Sequence, residues 1–134
     1  MIIIKNKHEI ELMQKSADVL KSALKAIEEN IRPGVTTLEL NRVAEEAMIK
    51  GGGIPAFKGV PCPYRGGKAY KWAICTSVND EIIHGIPSKD VVLKEGDIVS
   101  VDLGVDLNGW CSDAGRTYGV GKISPVAQKL IKTA

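Results

Sequence analysis

Two aspartates in the second half of the chain have the residue type and spacing of paired carboxylates that can bind a cation. Asp102 lies in the apolar run VSVDLGV, and Asp113 follows in WCSDAGRTY, with Asn108-Gly109 between them. Asn-Gly is typical of a two-residue β-hairpin turn. A turn at Asn108-Gly109 pairs position 104 with Asp113 and places Asp102 diagonally from Asp113 on the same face of the hairpin.

This predicted pairing brings two carboxylates together on one face of a sheet. Carboxylates at such a separation repel each other unless a proton or a cation lies between them. Hard divalent cations prefer oxygen ligands, and two metal ions about 3.5–4 Å apart are a common hydrolytic arrangement. From the hairpin alone, the alternative is that both aspartates are solvated residues of a sheet or turn.

Two further side chains are of types that can take part in chemistry. His84 is one of only two histidines and lies in NDEIIHGIP, next to Gly and Pro, where a loop would expose it to a cleft. The alternative is a hydrogen-bonded structural histidine. Cys75, in the β-rich run WAICTSV, is most simply a small core residue. His8, at the start of a predicted helix, is assigned no role.

The first third of the chain predicts two helices that would support a sheet. Apolar residues recur at steps of three and four from Ile10 to Ile31, which is the pattern of an amphipathic helix. Asn6 and Glu9 form a predicted capping box at its start, and Pro33-Gly34 ends it. A second helix is predicted from a capping box at Thr36 and Glu39 to the glycines at 51–53.

The rest of the chain predicts short antiparallel strands. These are Trp72–Val78, Asp97–Val105 and Trp110–Val120, with a turn at Asn79-Asp80 leading into Glu81–His84. Two helices followed by hairpin-connected strands indicate an α+β fold in which the helices pack on one face of the sheet. Ser124-Pro125 then opens a third helix, with Ser as its cap and Pro at its first position.

The composition disfavours nucleic-acid-binding, membrane-spanning and disulfide-rich classes of protein. The 134 residues are 44% apolar and 25% charged, and 18 basic against 16 acidic residues leave a net charge of +2, too little to indicate nucleic-acid binding. No apolar run is long enough for a membrane helix, and Lys5 interrupts the N-terminal one. Three cysteines without a C-x-x-C pair disfavour a disulfide framework or a zinc finger, so we expect a cytoplasmic protein. The Gly/Pro-rich stretch Lys58–Lys71 carries four basic side chains and is either a solvated loop or an RNA-facing or ribosome-facing patch.

Several motifs together resemble one family. CTSVNDEIIHGIPS and LKEGDIVSVDLGVDLNGWCSDAGRTYGVG are similar to the N-terminal half of type I methionine aminopeptidases, as are KHEIELMQKSADVL, IRPGVTTLEL and PAFKG. The similarity runs from about His8 to Ala134. It implies half of a pita-bread fold, in which two pseudo-symmetric α+β halves enclose a two-metal site. Residues 1–123 would be the N-terminal half, and residues 124–134 the start of the second.

The resemblance also implies roles for individual residues. Asp113 matches a ligand that bridges two metal ions, and Asp102 matches a ligand to one of them. His84 matches the histidine that hydrogen-bonds near the scissile amide. Tyr70 and Cys75 match positions that line the pocket for the methionine side chain.

The implied reaction is hydrolysis of the N-terminal methionyl bond of a peptide or a newly made protein. Two divalent metal ions (Co, Mn, Fe, Zn or Ni) would support it, and Ser100 lies near a monovalent-cation site of the family. The family's remaining ligands, one His and two Glu, belong to a second half that this chain lacks. We therefore expect weak metal binding and an inactive isolated chain. The stretch Lys58–Ala69 is longer than usual, so an aromatic lining position aligns with Val60 or Tyr64.

Two alternatives remain from the sequence. The first is a non-catalytic binding module that homodimerises through the face left exposed by the missing half. The second is another pita-bread peptidase, such as a proline-specific one, which the NDEIIHGIP stretch disfavours because it matches the methionine-specific group.

Overall fold

A computed structural model of the chain describes residues 2–61 and 66–134, and the predictions that involve Cys62, Tyr64 and Arg65 fall outside this part. The described elements confirm an α+β fold of helices on an antiparallel sheet. In chain order they are α1 (Lys7–Asn30), α2 (Thr37–Lys50), β1 (Ile54–Pro55), β2 (Ile74–Val78), β3 (Ile98–Leu107), β4 (Trp110–Gly119) and α3 (Pro125–Thr133).

Strand β3 is the centre of the sheet. On one side it pairs along its whole length with β4, and on the other side it pairs first with β2 and then, near its end, with β1. All pairs are antiparallel. The β3–β4 turn is the predicted one, because Leu107 pairs with Trp110 and both Asn108 and Gly109 have positive φ, 55° and 83°. Positive φ at both central residues is the requirement of a type I′ turn.

The helix starts follow their caps, with one difference from the prediction. At α1 the capping box is complete: the Glu9 amide donates to Asn6 Oδ1 (3.0 Å) and the Asn6 amide to Glu9 Oε2 (2.7 Å). At α2 only one half forms, in which the Glu39 amide donates to Thr36 Oγ1 (3.1 Å). The Glu39 carboxylate instead binds the Arg42 guanidinium (2.6 Å), an ion pair one helical turn away.

Helices α1 and α2 cover one face of the sheet and form the core with it. Because side chains alternate along a strand, every second residue of β3 points into this core. The core includes Leu20, Ala23, Ile27, Leu40, Ala44, Met48, Ile74, Val99, Val101, Leu103 and Val105. The Ser16 hydroxyl of α1 donates to the Val105 carbonyl (3.1 Å) and fixes the helix across the sheet.

The opposite side of the sheet, which we call the outer face, carries the alternate residues of the three longer strands. Cross-strand partners share a face, so the register assigns them directly. They are Cys75 and Ser77 of β2, Ser100, Asp102 and Gly104 of β3, and Asp113, Gly115 and Thr117 of β4. All the strand residues singled out from the sequence therefore lie on this one face.

After β2 the chain forms an irregular segment, residues 79–87, which we call the His84 loop. The Asn79-Asp80 turn forms, but Glu81–His84 does not continue as a strand. The Val78 amide donates to Glu81 Oε2 (2.8 Å), and Asn79 and His84 both have positive φ, which is incompatible with a regular strand. None of the helices in the described ranges is long and apolar enough to cross a membrane.

Thr76, on the core face of β2, offers a test of packing. Its side chain is 1% exposed, and within the described residues its Oγ1 has no hydrogen-bond partner. Valine has the same shape without the hydroxyl, so Thr76→Val should raise the free energy of unfolding by about 1 kcal/mol. Urea denaturation measures this. Thr117→Val is the matched control and should destabilise, because Thr117 Oγ1 is hydrogen-bonded to Ser100 (2.8 Å). A Thr76→Val variant less stable than the wild type would contradict the conclusion that the Thr76 hydroxyl is buried without a hydrogen bond.

Candidate metal and substrate site

Asp102 and Asp113 come together on the outer face as the hairpin register predicts. Gly104 of β3 pairs with Asp113, and Asp102 pairs with Gly115 two residues along. A Cβ placed on Gly104 would lie 3.3 Å from Asp113 Oδ2, so the Asp113 carboxylate lies over this glycine. The register makes Asp102 the diagonal neighbour of Asp113 on the same face of the sheet.

The electrostatics of this pair match its geometry. Burial raises the pKa of the half-buried Asp102 carboxyl, and the charge of Asp113 raises it further. The nearby His84 imidazole acts in the opposite direction and lowers that pKa. The Asp102 carboxyl therefore responds to the charges of both a second carboxylate and a histidine. Such a cluster is stabilised by any cation that binds between the carboxylates.

Replacing Asp102 should stabilise the metal-free chain at neutral pH. A carboxyl whose pKa is raised by folding binds its proton more tightly in the native state, so stability falls as pH rises through its titration. Asp102→Asn removes this effect, and its advantage should disappear below about pH 4, where the wild-type carboxyl is also neutral. Thermal unfolding in EDTA at several pH values measures the difference. An Asp102→Asn variant that is less stable at neutral pH would contradict this account.

His84 is exposed, at the point where its loop returns to the sheet. It adopts a φ of 58°, which is uncommon for a residue with a side chain. The charge of its imidazole lowers the pKa of Asp102. Next to it, the Thr76 amide donates to the Gly85 carbonyl (2.9 Å), so the loop lies along the free edge of β2. A loop exposes His84, as the sequence predicts, although Glu81–His84 forms no strand before it.

Tyr70 and Cys75 form a small cluster next to the aspartates. Cys75 is the cross-strand partner of Asp102, and burial raises the pKa of its thiol. The Tyr70 hydroxyl donates to the Ile74 carbonyl (2.9 Å) and lies 3.4 Å from Cys75 Sγ. The Tyr70 ring also contacts Trp72, with ring centroids 5.3 Å apart.

One aromatic residue beside the aspartates was not predicted. A Cβ on Gly104 would lie 3.0 Å from Phe57 Cε1, so the Phe57 ring packs over the same glycine as Asp113. Phe57 is the only phenylalanine of the chain, which is a weak signal by itself. Val60, one of the two positions considered for an aromatic lining residue, is exposed, and Tyr64 lies outside the described residues.

A groove of about 1130 Å³ extends from Asp102 across β4 to α3 and to the end of α1, where Glu28 and Ile31 line it. Its walls include exposed apolar side chains of the His84 loop and of α3, namely Ile82, Ile83 and Leu130. Among the residues described, no group of three or more His, Cys, Asp or Glu side chains is placed to hold a metal ion.

A helix-covered antiparallel sheet with paired carboxylates on its open face is compatible with a metallohydrolase, and comparison with known proteins defines the class. The profile of metallopeptidase family M24 matches residues 11–134, and the chain belongs to this family. Within it, the chain is similar to methionine aminopeptidases: it is 52% identical to the one from Clostridium acetobutylicum and 49% identical to the one from Clostridium perfringens. Each comparison covers 98% of this chain and 50% of the relative.

Solved structures give the same result. The methionine aminopeptidase of Thermotoga maritima superposes with a TM-score of 0.88 at 42% identity, over 98% of this chain and 50% of that one. The prolidase of Pyrococcus furiosus shares the fold with a TM-score of 0.78 at 28% identity, over 97% of this chain and 35% of its own. The expected half of a pita-bread fold is confirmed, and the chain spans about half the length of the curated relatives it matches.

Proposed function

We propose that this chain provides one half of the active site of a metal-dependent methionine aminopeptidase, which removes N-terminal methionine from newly made proteins in the cytoplasm. The observation that carries the proposal is the Asp102–Asp113 pair on the open outer face, next to His84. The methionine aminopeptidases that the chain resembles support the choice of substrate.

The chemistry of the two aspartates fits a divalent metal ion. Both donors are carboxylate oxygens on an accessible face, and the charge of Asp113 is one of the causes of the raised Asp102 pKa, so a cation between them would relieve repulsion. Asp102 and Asp113 would hold the metal ions, two in number by the family resemblance. Bound divalent ions would supply Lewis-acid activation of water and of the scissile carbonyl.

The neighbouring residues would bind and orient the peptide. The exposed imidazole of His84 has a donor and an acceptor nitrogen with which to hydrogen-bond the amide region of a substrate held at the aspartates. Tyr70 and Cys75 would line the pocket for the methionine side chain, since Cys75 lies directly opposite Asp102. Sulfur contacts with an aromatic ring favour a methionine in such a pocket.

The proposed boundary between the two halves lies at Ser124. The Ser124 hydroxyl accepts from the Ala127 amide (3.1 Å) and caps α3, as the sequence predicts. No residue of α3 is buried, and Val126 and Leu130 expose apolar side chains. An amphipathic helix with an uncovered apolar face supports the proposal that α3 begins a second structural half.

Metal titration by calorimetry tests this function on the chain itself. We expect Mn²⁺ or Co²⁺ to bind weakly, with Kd on the order of 10⁻³ M because two side chains leave most ligand positions to water. Asp113→Asn should abolish binding. Asp106→Asn is the matched control, since Asp106 lies in the same strand but bonds the Gly109 amide (2.7 Å). Binding that survives Asp113→Asn, or normal turnover of a Met-Ala peptide by the isolated chain, would contradict the proposal.

The groove favours one competing candidate, a non-catalytic module that self-associates. Ile82 and Ile83 are 89% and 69% exposed, and exposed apolar patches of this kind mark interaction surfaces. Light scattering separates the two candidates, because a dilute monomer counts against self-association. A ribosome-facing patch is a further proposal and rests on Lys68 and Lys71, both exposed, since Lys58 pairs with Glu45.

A further inference from the structure

The His84 loop reaches the outer face through a short series of hydrogen bonds. At its start, the Asn79 amide donates to the Ile98 carbonyl (3.0 Å). At its end, the Ser88 amide donates to Thr37 Oγ1 at the start of α2 (2.9 Å). Between these two points the chain projects Ile82, Ile83 and His84 into solvent, so the position of His84 depends on what holds the middle of the loop.

The middle of the loop is held at Gly85. The Thr76 amide donates to the Gly85 carbonyl (2.9 Å), and the Gly85 amide donates to Ser77 Oγ (3.1 Å). The backbones are so close that a Cβ on Gly85 would lie 2.0 Å from the Thr76 carbonyl oxygen. The two bonds together fix the residue that follows His84 against β2.

Ser77 has the placement expected of an anchor for the histidine. Its side chain is 5% exposed and lies on the outer face, on the same side of the strand as Cys75, which pairs with Asp102. The buried hydroxyl satisfies an amide that would otherwise lack a partner next to the strand edge. The positive φ of His84 is a disfavoured conformation that persists only where the surroundings hold it.

We infer that Ser77 is a positioning residue: by accepting the Gly85 N–H, it holds His84 beside the Asp102–Asp113 pair. Ser77 does not touch the substrate in this account and acts only through the loop. The inference rests on the proposed function, in which His84 and the two aspartates serve one site. Beyond that function, it assigns to Ser77 the hydrogen bond that positions His84.

The first part of the test is amide hydrogen exchange on the metal-free chain. Loss of one buried hydrogen bond in Ser77→Ala should make the Gly85 amide exchange about fivefold faster. Ser77→Thr retains the hydroxyl and should restore protection. Ser112→Ala removes a hydroxyl that is hydrogen-bonded to Ser16 and should leave Gly85 unchanged. Unchanged exchange in Ser77→Ala would overturn the inference.

The second part measures where His84 lies, by the broadening of its imidazole NMR signals when Mn²⁺ binds. The chain has only two histidines, and His8 on α1, on the other side of the sheet, is the internal control. Ser77→Ala should reduce the broadening of His84 without changing Mn²⁺ affinity, and Ser77→Thr should restore it. Gly85→Ala, which cannot keep the close approach, should reduce it as well.

These outcomes distinguish a failure of the positioning role of Ser77 from a failure of the proposed metal site. Full broadening of His84 in Ser77→Ala, with Mn²⁺ bound, overturns the positioning role. If Mn²⁺ broadens neither histidine in the wild type, the proposed metal site has failed, and the exchange of Gly85 still decides whether Ser77 anchors the loop.

Discussion

Asp113→Asn should lower peptidase activity by more than about 100-fold once the chain is joined to a complementary half. Replacing a residue that only hydrogen-bonds a metal ligand already costs up to about 100-fold, and loss of a ligand itself should cost more. The second half can come from the Clostridium acetobutylicum methionine aminopeptidase, which is 52% identical to the chain over the matched region. Initial rates on a Met-Ala peptide with added Mn²⁺ or Co²⁺ measure the effect. The physical reason is that Asp113 is the diagonal neighbour of Asp102 on the outer face, so its loss removes one of the two charges that would hold the metal.

The control for this experiment is Asp106→Asn in the same chimera, which should retain activity. Asp106 lies on β3 and supports the hairpin turn, so its charge has no place in the proposed site. Metal content measured after dialysis should fall in Asp113→Asn and not in Asp106→Asn. A chimera that keeps both metal and full activity without the Asp113 carboxylate would refute the assignment of this residue.

His84→Ala in the chimera should lower kcat by about 10²–10⁴-fold, the usual contribution of a positioned proton-transfer or hydrogen-bonding group. The effect should fall mainly on kcat, since His84 is proposed to support the transition state at the amide. Metal content should be unchanged, because His84 is not one of the proposed ligands. Steady-state kinetics with metal analysis measure both quantities.

The matched control is His8→Ala, which removes the other histidine of the chain. His8 is exposed in the first turn of α1, 4.0 Å from Glu11, and its loss should leave kcat unchanged. If His84→Ala instead releases the metal, His84 is a ligand rather than a substrate-binding residue. Equal activity in His84→Ala and the wild type would remove His84 from the site altogether.

Much of the fold and one part of the site follow from local sequence signals. The Asn108-Gly109 turn determines the β3–β4 register, and with it the convergence of Asp102 and Asp113. Asn6 and Ser124 determine where two helices begin. Each of these signals acts between residues close in the chain. The turn and the helix cap therefore form through local interactions that do not depend on the rest of the molecule.

The surroundings of the aspartates depend on contacts that local patterns do not encode. The position of Cys75 opposite Asp102 comes from the pairing of β2 with β3, and nothing near either residue specifies which strands become neighbours. Phe57 reaches Gly104 because β1 pairs with the last part of β3. A two-residue strand carries too little periodicity to predict such a pairing.

The pair of carboxylates can therefore be predicted from local residues, because a hairpin turn specifies which residues pair across it. The groups around that pair depend on tertiary contacts: Phe57 over Gly104, Cys75 beside Asp102, and His84 held near the sheet through the bond between Ser77 and Gly85. The physical reason is that these contacts join segments distant in the chain, and their energy depends on the packing of the whole sheet rather than on any local preference.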